Sequence, residues 1–147
     1  MNTVKIDLCG LPDELRSGLE KLCMHEGFRS GTDGIRLSAR RGGAFSAEFD
    51  GQTLRVEYCE PVQFFRALSY LKRADHRRFA LHRQPVFEHN GVMLDCSRNA
   101  VPRVEAVKMV LRKMALMGLN TLMLYTEDTY EVPEQPYFGY LRGRYSV

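Results

Sequence analysis

The segment from residue 90 to residue 128 constrains the fold of this chain more than any other. It reads Asn-Gly-Val-Met-Leu-Asp-Cys-Ser-Arg-Asn, then a helix-patterned run, then Asn-Thr-Leu-Met-Leu-Tyr-Thr-Glu-Asp. The apolar run from 92 to 96 suits a strand buried on both faces. Pro102 opens the helix, and Val104, Val107, Leu111 and Met114 mark its buried stripe. Arg103, Lys108, Arg112 and Lys113 fall largely off that stripe. Gly118 is a natural stop before the second apolar run, residues 121 to 125. Strands joined in this way run parallel, with a right-handed crossover in about 98% of cases. The pattern predicts the first two strands and first helix of a parallel α/β barrel. Such barrels do their chemistry at the C-terminal ends of their strands. Asp95, Arg98, Glu127 and Asp128 are therefore expected to gather at one end of two neighbouring strands. A whole barrel takes about 250 residues, and this chain has 147. The expectation is a truncated barrel, the beginning of an enzyme rather than a complete one.

The first 84 residues predict a separate small α/β domain, leaving 85–147 to the barrel. Val4, Ile6 and Leu8 alternate with polar residues, as in a half-buried strand. Pro12 opens a helix whose first turn holds Asp13 and Glu14. Leu15, Leu19, Leu22 and Cys23 share one helical face, and Gly27 ends the run. Three strand patterns follow, at 35–39, 45–49 and 54–58, with Asp50-Gly51 as a hairpin signal between the last two. Pro61 opens a second helix with Phe65, Leu68 and Leu71 on one side. The expected order is strand, helix, three strands, helix, which buries one sheet face under two helices. Residues 84–89, with Pro85, read as a linker.

Composition excludes several alternatives. No run approaches the roughly 20 apolar residues of a membrane span, and the N-terminus lacks the basic and apolar regions of a secretory signal. A cytoplasmic protein is the resulting expectation. Cys9, Cys23, Cys59 and Cys96 form no Cys-x-x-Cys pair, and their settings read as buried free thiols rather than a metal or redox site. The glycines at 31, 34, 42 and 43 match no phosphate loop, and His25-Glu26 lacks the second histidine of a zinc-protease helix. The basic cluster at 72–83 includes Arg73, His76, Arg77, Arg78, His82 and Arg83. It reads as a solvated helix end running into a linker, with a nucleic-acid patch as the competing interpretation.

Among the polar residues after the strands, Arg98 is the leading binding candidate. Its guanidinium offers five donors in a fixed fork, suited to paired hydroxyls, carboxylate or phosphate. The alternative is that Arg98 only pairs with Asp95 to close the barrel's top. Glu127 and Asp128 are adjacent, and neighbours on an extended chain point to opposite sides. The two carboxylates can face one ligand only if the backbone turns.

Residues 90–98 resemble the first barrel strand of glycoside hydrolase family 20, the β-N-acetylhexosaminidases, whose pattern is Gly-aliphatic-aliphatic-Leu-Asp-x-Ser-Arg. Residues 120–130 resemble the second strand of a bacterial branch. Residues 136–145, Pro-Tyr-Phe-Gly-Tyr-Leu-Arg-Gly-Arg-Tyr, resemble the loop after it. The first 80 residues are similar in order and size to the small domain before that barrel, and Phe64-Phe65-Arg66-Ala67-Leu68 matches a recurring helix pattern there. The resemblance implies that Arg98 holds the hydroxyls of a terminal sugar, with Asp95 supporting it and Glu127 and Asp128 as lesser candidates. It implies an exo-acting glycosidase for terminal N-acetylglucosamine or N-acetylgalactosamine. That enzyme would be substrate-assisted and retaining, with no metal or cofactor. From the residues themselves, neither nucleic acid nor membrane is expected as a partner. In the family an Asp-Glu pair after the fourth strand supports catalysis, and no fourth barrel strand exists in this sequence. The fragment is expected to be silent alone, to expose an open barrel edge prone to self-association, and to hold Tyr130, Tyr137, Phe138, Tyr140 and Tyr145 loosely. A non-catalytic carbohydrate-binding or accessory protein is the alternative.

Overall fold

The computed structural model describes residues 3–75 and 77–145, so His76 of the basic cluster lies outside the described residues. The chain runs β1 (Val4–Asp7), α1 (Asp13–His25), β2 (Phe28–Ser30), β3 (Ile35–Arg41), β4 (Phe45–Phe49), β5 (Thr53–Tyr58), α2 (Pro61–Ala74), β6 (Phe79–Arg83), β7 (Gly91–Asp95), α3 (Val104–Met117) and β8 (Thr121–Tyr125). The first six strands make a mixed sheet in the order β2-β1-β3-β5-β4-β6, and β7 pairs with β8 in a second, parallel sheet.

Local chemistry sets the ends of these elements. Asp13 and Glu14 lie in the first turn of α1, and Gly27 follows its end at φ +72°. Before α2, Gln63 accepts the backbone amides of Cys59 and Glu60 at 2.8 and 3.3 Å, which closes a capping box beside Pro61. Asp50 accepts the amides of Gln52 and Thr53 at 2.9 and 2.8 Å and pairs with Arg55, shaping the β4–β5 hairpin around Gly51. Those two amides and Arg55 hold its carboxyl far below the ordinary carboxylate range.

One face of the six-stranded sheet packs under α1 and α2. Ile6, Phe28, Leu37, Phe49, Leu54 and Val56 meet Leu15, Leu19, Phe64, Ala67 and Leu68 in a continuous core. Phe64 and Ala67 join Leu68 and Leu71 on the buried side of α2, while Phe65 is half-buried. The opposite sheet face carries Arg36, Ser38, Arg40, Glu48 and Arg55 to solvent, so strand alternation divides wet from dry.

Two strands join those expected. β2 is three residues long, too short for alternation to register. β6 occupies part of the basic stretch read as a solvated linker. It pairs antiparallel with β4 from Phe45↔Arg83 to Phe49↔Phe79. An edge strand tolerates exposed cations because they discourage pairing with other chains, so its charge disguised it. The thiols also differ from expectation: only Cys96 is buried, Cys23 and Cys59 are half-buried, and Cys9 is exposed beyond the end of β1.

The second sheet depends on the first body. Met114 is the fully buried residue of α3, and Leu116 packs half-buried against the N-terminal core. Val107 is half-buried, but Val104 and Leu111 of the expected stripe are exposed, because α2 covers a face of α3 centred nearer Met114. Met93, Met123 and Leu124 are exposed as well. Two strands and one helix cannot cover both strand faces.

Charge fixes the contact between the two bodies. Glu26, at the end of α1, has a side chain only 4% exposed. Lys113 Nζ donates to its carboxylate at 2.5 Å and Arg112 Nε lies 3.6 Å from it. Lys72 of α2 donates to the Glu26 carbonyl at 2.5 Å. Arg112, expected on the outer face of α3, is thus drawn inward. Removing one partner of a buried ion pair strands the other. Glu26→Ala should therefore cost about 3 kcal/mol, the low end of the roughly 3–5 kcal/mol for breaking a buried pair, because Lys113 is half solvated. Urea unfolding monitored by circular dichroism measures it, and an unchanged midpoint would refute it.

At the base of β7, a Cβ on Gly91 would fall 1.6 Å from the Thr121 carbonyl oxygen. Gly91→Ala should separate β7 from β8 while the six-stranded sheet survives. Loss of amide protection in 91–95 and 121–125 alone is the expected hydrogen-exchange result.

Candidate functional site

Parallel pairing brings the ends of β7 and β8 side by side. The register runs from Gly91↔Thr121 to Asp95↔Tyr125, and the Cys96 amide extends it by donating to the Tyr125 carbonyl at 2.8 Å. The charged residues that follow therefore converge, as the strand–helix–strand pattern required.

Asp95 is organised locally. Its Oδ1 accepts the Ser97 hydroxyl at 2.6 Å and the Ser97 amide at 2.8 Å. These hydrogen bonds, with the nearby Arg98 and Arg142 charges, hold Asp95 below the ordinary carboxylate range. Arg98 Nε lies 3.5 Å from Asp95 Oδ2, and Arg98 Nη2 lies 3.7 Å from Glu127 Oε1. Its side chain is nevertheless 67% exposed. Arg98 is steered by two carboxylates without being enclosed by either, and most of its donor fork faces solvent.

Glu127 and Asp128 behave differently from an extended pair. Glu127 has φ +49°, a left-handed conformation that costs a non-glycine residue about 1 kcal/mol or more. The turn brings both carboxylates onto one guanidinium: Arg142 Nε donates to Asp128 Oδ1 at 2.8 Å, and Arg142 Nη2 binds Glu127 Oε2. Arg142 holds Asp128 below the usual carboxylate range, and Asp128 in turn raises Arg142. The Tyr125 hydroxyl donates to Glu127 Oε1 at 3.0 Å, and that bond raises the phenol. Glu127 thus links Arg98, Tyr125 and Arg142, whereas Asp128 contacts Arg142 and not Arg98.

The loop supplying Arg142 is itself anchored. The Tyr145 amide donates to the Thr129 carbonyl and the Tyr145 hydroxyl to the Cys96 carbonyl, both at 2.7 Å. Gly139 sits at φ +64°, and a Cβ there would lie 1.9 Å from the Asp128 carbonyl oxygen. Phe138 is half-buried against Tyr130, with ring centroids 5.2 Å apart. Tyr137 and Tyr140 are exposed, whereas Tyr145 and Phe138 have the partners just described. Sequence reasoning missed Arg142 as a site residue. The available signal was an arginine in a glycine- and tyrosine-rich loop shortly after two adjacent acids, but nothing in local periodicity announces that return.

A cleft of about 640 Å³ lies elsewhere. It opens at the N-terminal ends of β7 and β8, where Arg66, Tyr70, Arg83, Phe87, Asn90 and Asn120 line it. None of the four residues expected from the sequence reaches it.

The lowered Asp95 and Asp128 have a consequence for pH. A carboxylate whose folded pKa lies below its unfolded value of about 3.9 stabilises the fold above that pH and loses the contribution as pH falls through the folded value. Below about pH 4, residues 129–145 should lose amide protection before β3 and β5 do. Hydrogen exchange, corrected for intrinsic rates, follows this; equal protection of the loop at neutral pH and near pH 3 would contradict it.

No protein-family model and no curated protein matches the chain. Solved structures do. The family 20 exo-β-N-acetylglucosaminidase of Vibrio harveyi, solved with N-acetylglucosamine, superposes with TM-score 0.63 at 21% identity, covering 95% of this chain and 25% of its own. The β-N-acetylhexosaminidase of Bacteroides fragilis gives TM-score 0.61 at 15% identity, covering 99% and 36%. The chitobiase of Flavobacterium johnsoniae gives 0.63 at 17%, covering 99% and 28%. This chain spans about a quarter to a third of the length of these neighbours. Over almost all of its residues it has the fold of the corresponding part of family 20 β-N-acetylhexosaminidases.

Proposed function

We propose that this chain is the opening portion of an exo-β-N-acetylhexosaminidase-like glycoside hydrolase. Residues 1–84 would form its small N-terminal domain, and residues 85–147 the first two strands and first helix of a (β/α)8 barrel. Its substrate class is a glycan ending in N-acetylglucosamine or N-acetylgalactosamine. The observation that carries this reading is Arg98. It stands largely exposed at the C-terminal ends of two paired parallel strands, held between Asp95 and Glu127. That is where a barrel enzyme places ligand-binding groups, and a guanidinium fork can donate to neighbouring sugar hydroxyls.

In this reading Arg98 binds the hydroxyls of the terminal sugar and Asp95 orients Arg98. Glu127 is a second, weaker contact, and Asp128 supports the loop. The acetamido group of the substrate would act as nucleophile in a retaining, substrate-assisted reaction, one of the exceptions to the usual carboxylate pair. The acid–base chemistry lies outside these residues: Asp95, Glu127 and Asp128 are all engaged by donors. This favours binding without turnover for the 147-residue chain alone. Its exposed Met93, Met123 and Leu124 beside an open strand edge should also make it associate as concentration rises.

The test uses the protein encoded by the uninterrupted reading frame that contains this chain, assayed on an aryl N-acetyl-β-glucosaminide. Release of the aryl group is expected. Arg98→Ala should lower kcat/KM about tenfold to 150-fold, the equivalent of about 1.5–3 kcal/mol for hydrogen bonds to a charged group. Unchanged kinetics in that variant would remove Arg98 from the site. Sugar binding with no turnover would favour a carbohydrate-binding or accessory protein.

A further inference from the structure

We propose that Arg142 is the positioning residue of this site. It gathers Glu127 and Asp128 onto one guanidinium and so turns Glu127 toward Arg98. The inference deepens the sugar-binding reading and takes its functional meaning from it, but the clamp can be measured without any sugar.

Glu127 occupies a backbone conformation it would not adopt unaided. Arg142 supplies a reason for it to persist, since a planar fork donates to two carboxylates at once in a fixed geometry that a lysine ammonium does not impose. Each oxygen of Glu127 then has its own role. Oε2 is taken by Arg142, while Oε1 accepts the Tyr125 hydroxyl and faces Arg98. With Oε2 occupied, the carboxylate cannot rotate to take Arg98 in a bidentate grip. Arg98 stays aligned but keeps donors free for a ligand.

Charge at the strand ends gives the clamp a second effect. Asp95, Glu127 and Asp128 bring three negative charges, and Arg98 and Arg142 bring two positive ones. The net negative charge of these five groups favours neutral hydroxyl groups over phosphate, sulfate or carboxylate on the ligand.

The placement of Arg142 is built rather than incidental. It depends on the Gly139 approach to the Asp128 carbonyl and on the Tyr145 hydrogen bonds to Thr129 and Cys96. Among the described residues Arg144, two residues on, reaches the Phe138 carbonyl at 3.4 Å and neither acid of the clamp, which makes Arg144→Gln a suitable neighbouring control.

Two readouts separate the clamp from the sugar reading. In the 147-residue chain, carbon NMR would follow Asp128 through an acid titration, and nitrogen relaxation would follow the Arg98 Nε–H. Arg142→Gln should raise the Asp128 midpoint and alter the mobility of Arg98. Arg142→Lys should rescue neither fully, and Arg144→Gln should leave both as in the parent. In the longer reading-frame product, Arg142→Gln should lower kcat/KM on a neutral aryl N-acetylglucosaminide by about tenfold to a hundredfold, the scale on which misplacement of about 1 Å slows a reaction. An Asp128 midpoint and Arg98 mobility indifferent to Arg142→Gln would overturn the clamp. Full rescue by Arg142→Lys would overturn the claim that the planar fork is required. Changed Arg98 mobility with kinetics equal to the parent would overturn the positioning role. If the NMR changes appear and no hydrolase activity exists in the parent, the clamp stands and the sugar reading falls.

Discussion

A buried carboxylate at the end of the first helix joins this molecule together. Glu26 lies inside the contact between the six-stranded body and the β7–α3–β8 unit, with Arg112 and Lys113 reaching it from α3. Two cations arriving together, with Lys72 on the adjacent carbonyl, offset the cost of burying that carboxylate. The smaller unit has few apolar alternatives, since Met114 is the one residue of α3 that is fully buried. The position of the strand ends, and so of Arg98, follows from this contact more than from the unit's own core.

Much of this could be read from residue order, for reasons that differ by element. Period-two alternation marked β1, β3, β4 and β5 because one sheet face is dry and the other wet. Glycine and proline marked the helix ends because φ is restricted there by geometry rather than context. The convergence of Asp95, Arg98 and Glu127 followed from parallel topology alone. What stayed hidden depends on partners distant in sequence. Arg112 looked like a solvent-facing residue until Glu26 was placed opposite it. The turn at Glu127 and the role of Arg142 arise from a loop that folds back, and no periodicity encodes a return. β6 was concealed by charges that an edge strand can keep and a central strand cannot.

At the strand ends, charge balance rather than enclosure organises the side chains. Arg142 satisfies the acidic pair, Ser97 satisfies one oxygen of Asp95, and Arg98 is left with two distant anions and open solvent. Enclosure would have desolvated every one of these groups. An open arrangement keeps them wet, so any group that engages the donors of Arg98 displaces water rather than an existing side-chain bond.

The two ends of the β7–β8 pair are held by different kinds of force. At the base, the Asn120 side chain accepts the Asn90 amide at 2.9 Å and donates to the Glu88 carbonyl at 2.7 Å, and Gly91 lets the backbones nearly touch. These are short, largely uncharged contacts. At the top, neutral hydrogen bonds at Cys96 are joined by half-exposed ion pairs among Arg98, Glu127, Asp128 and Arg142. Dissolved salt screens the ion pairs and leaves the neutral contacts almost untouched. The ion pairs that orient Arg98 therefore weaken as counter-ions crowd in, whereas the paired backbone beneath them keeps its register.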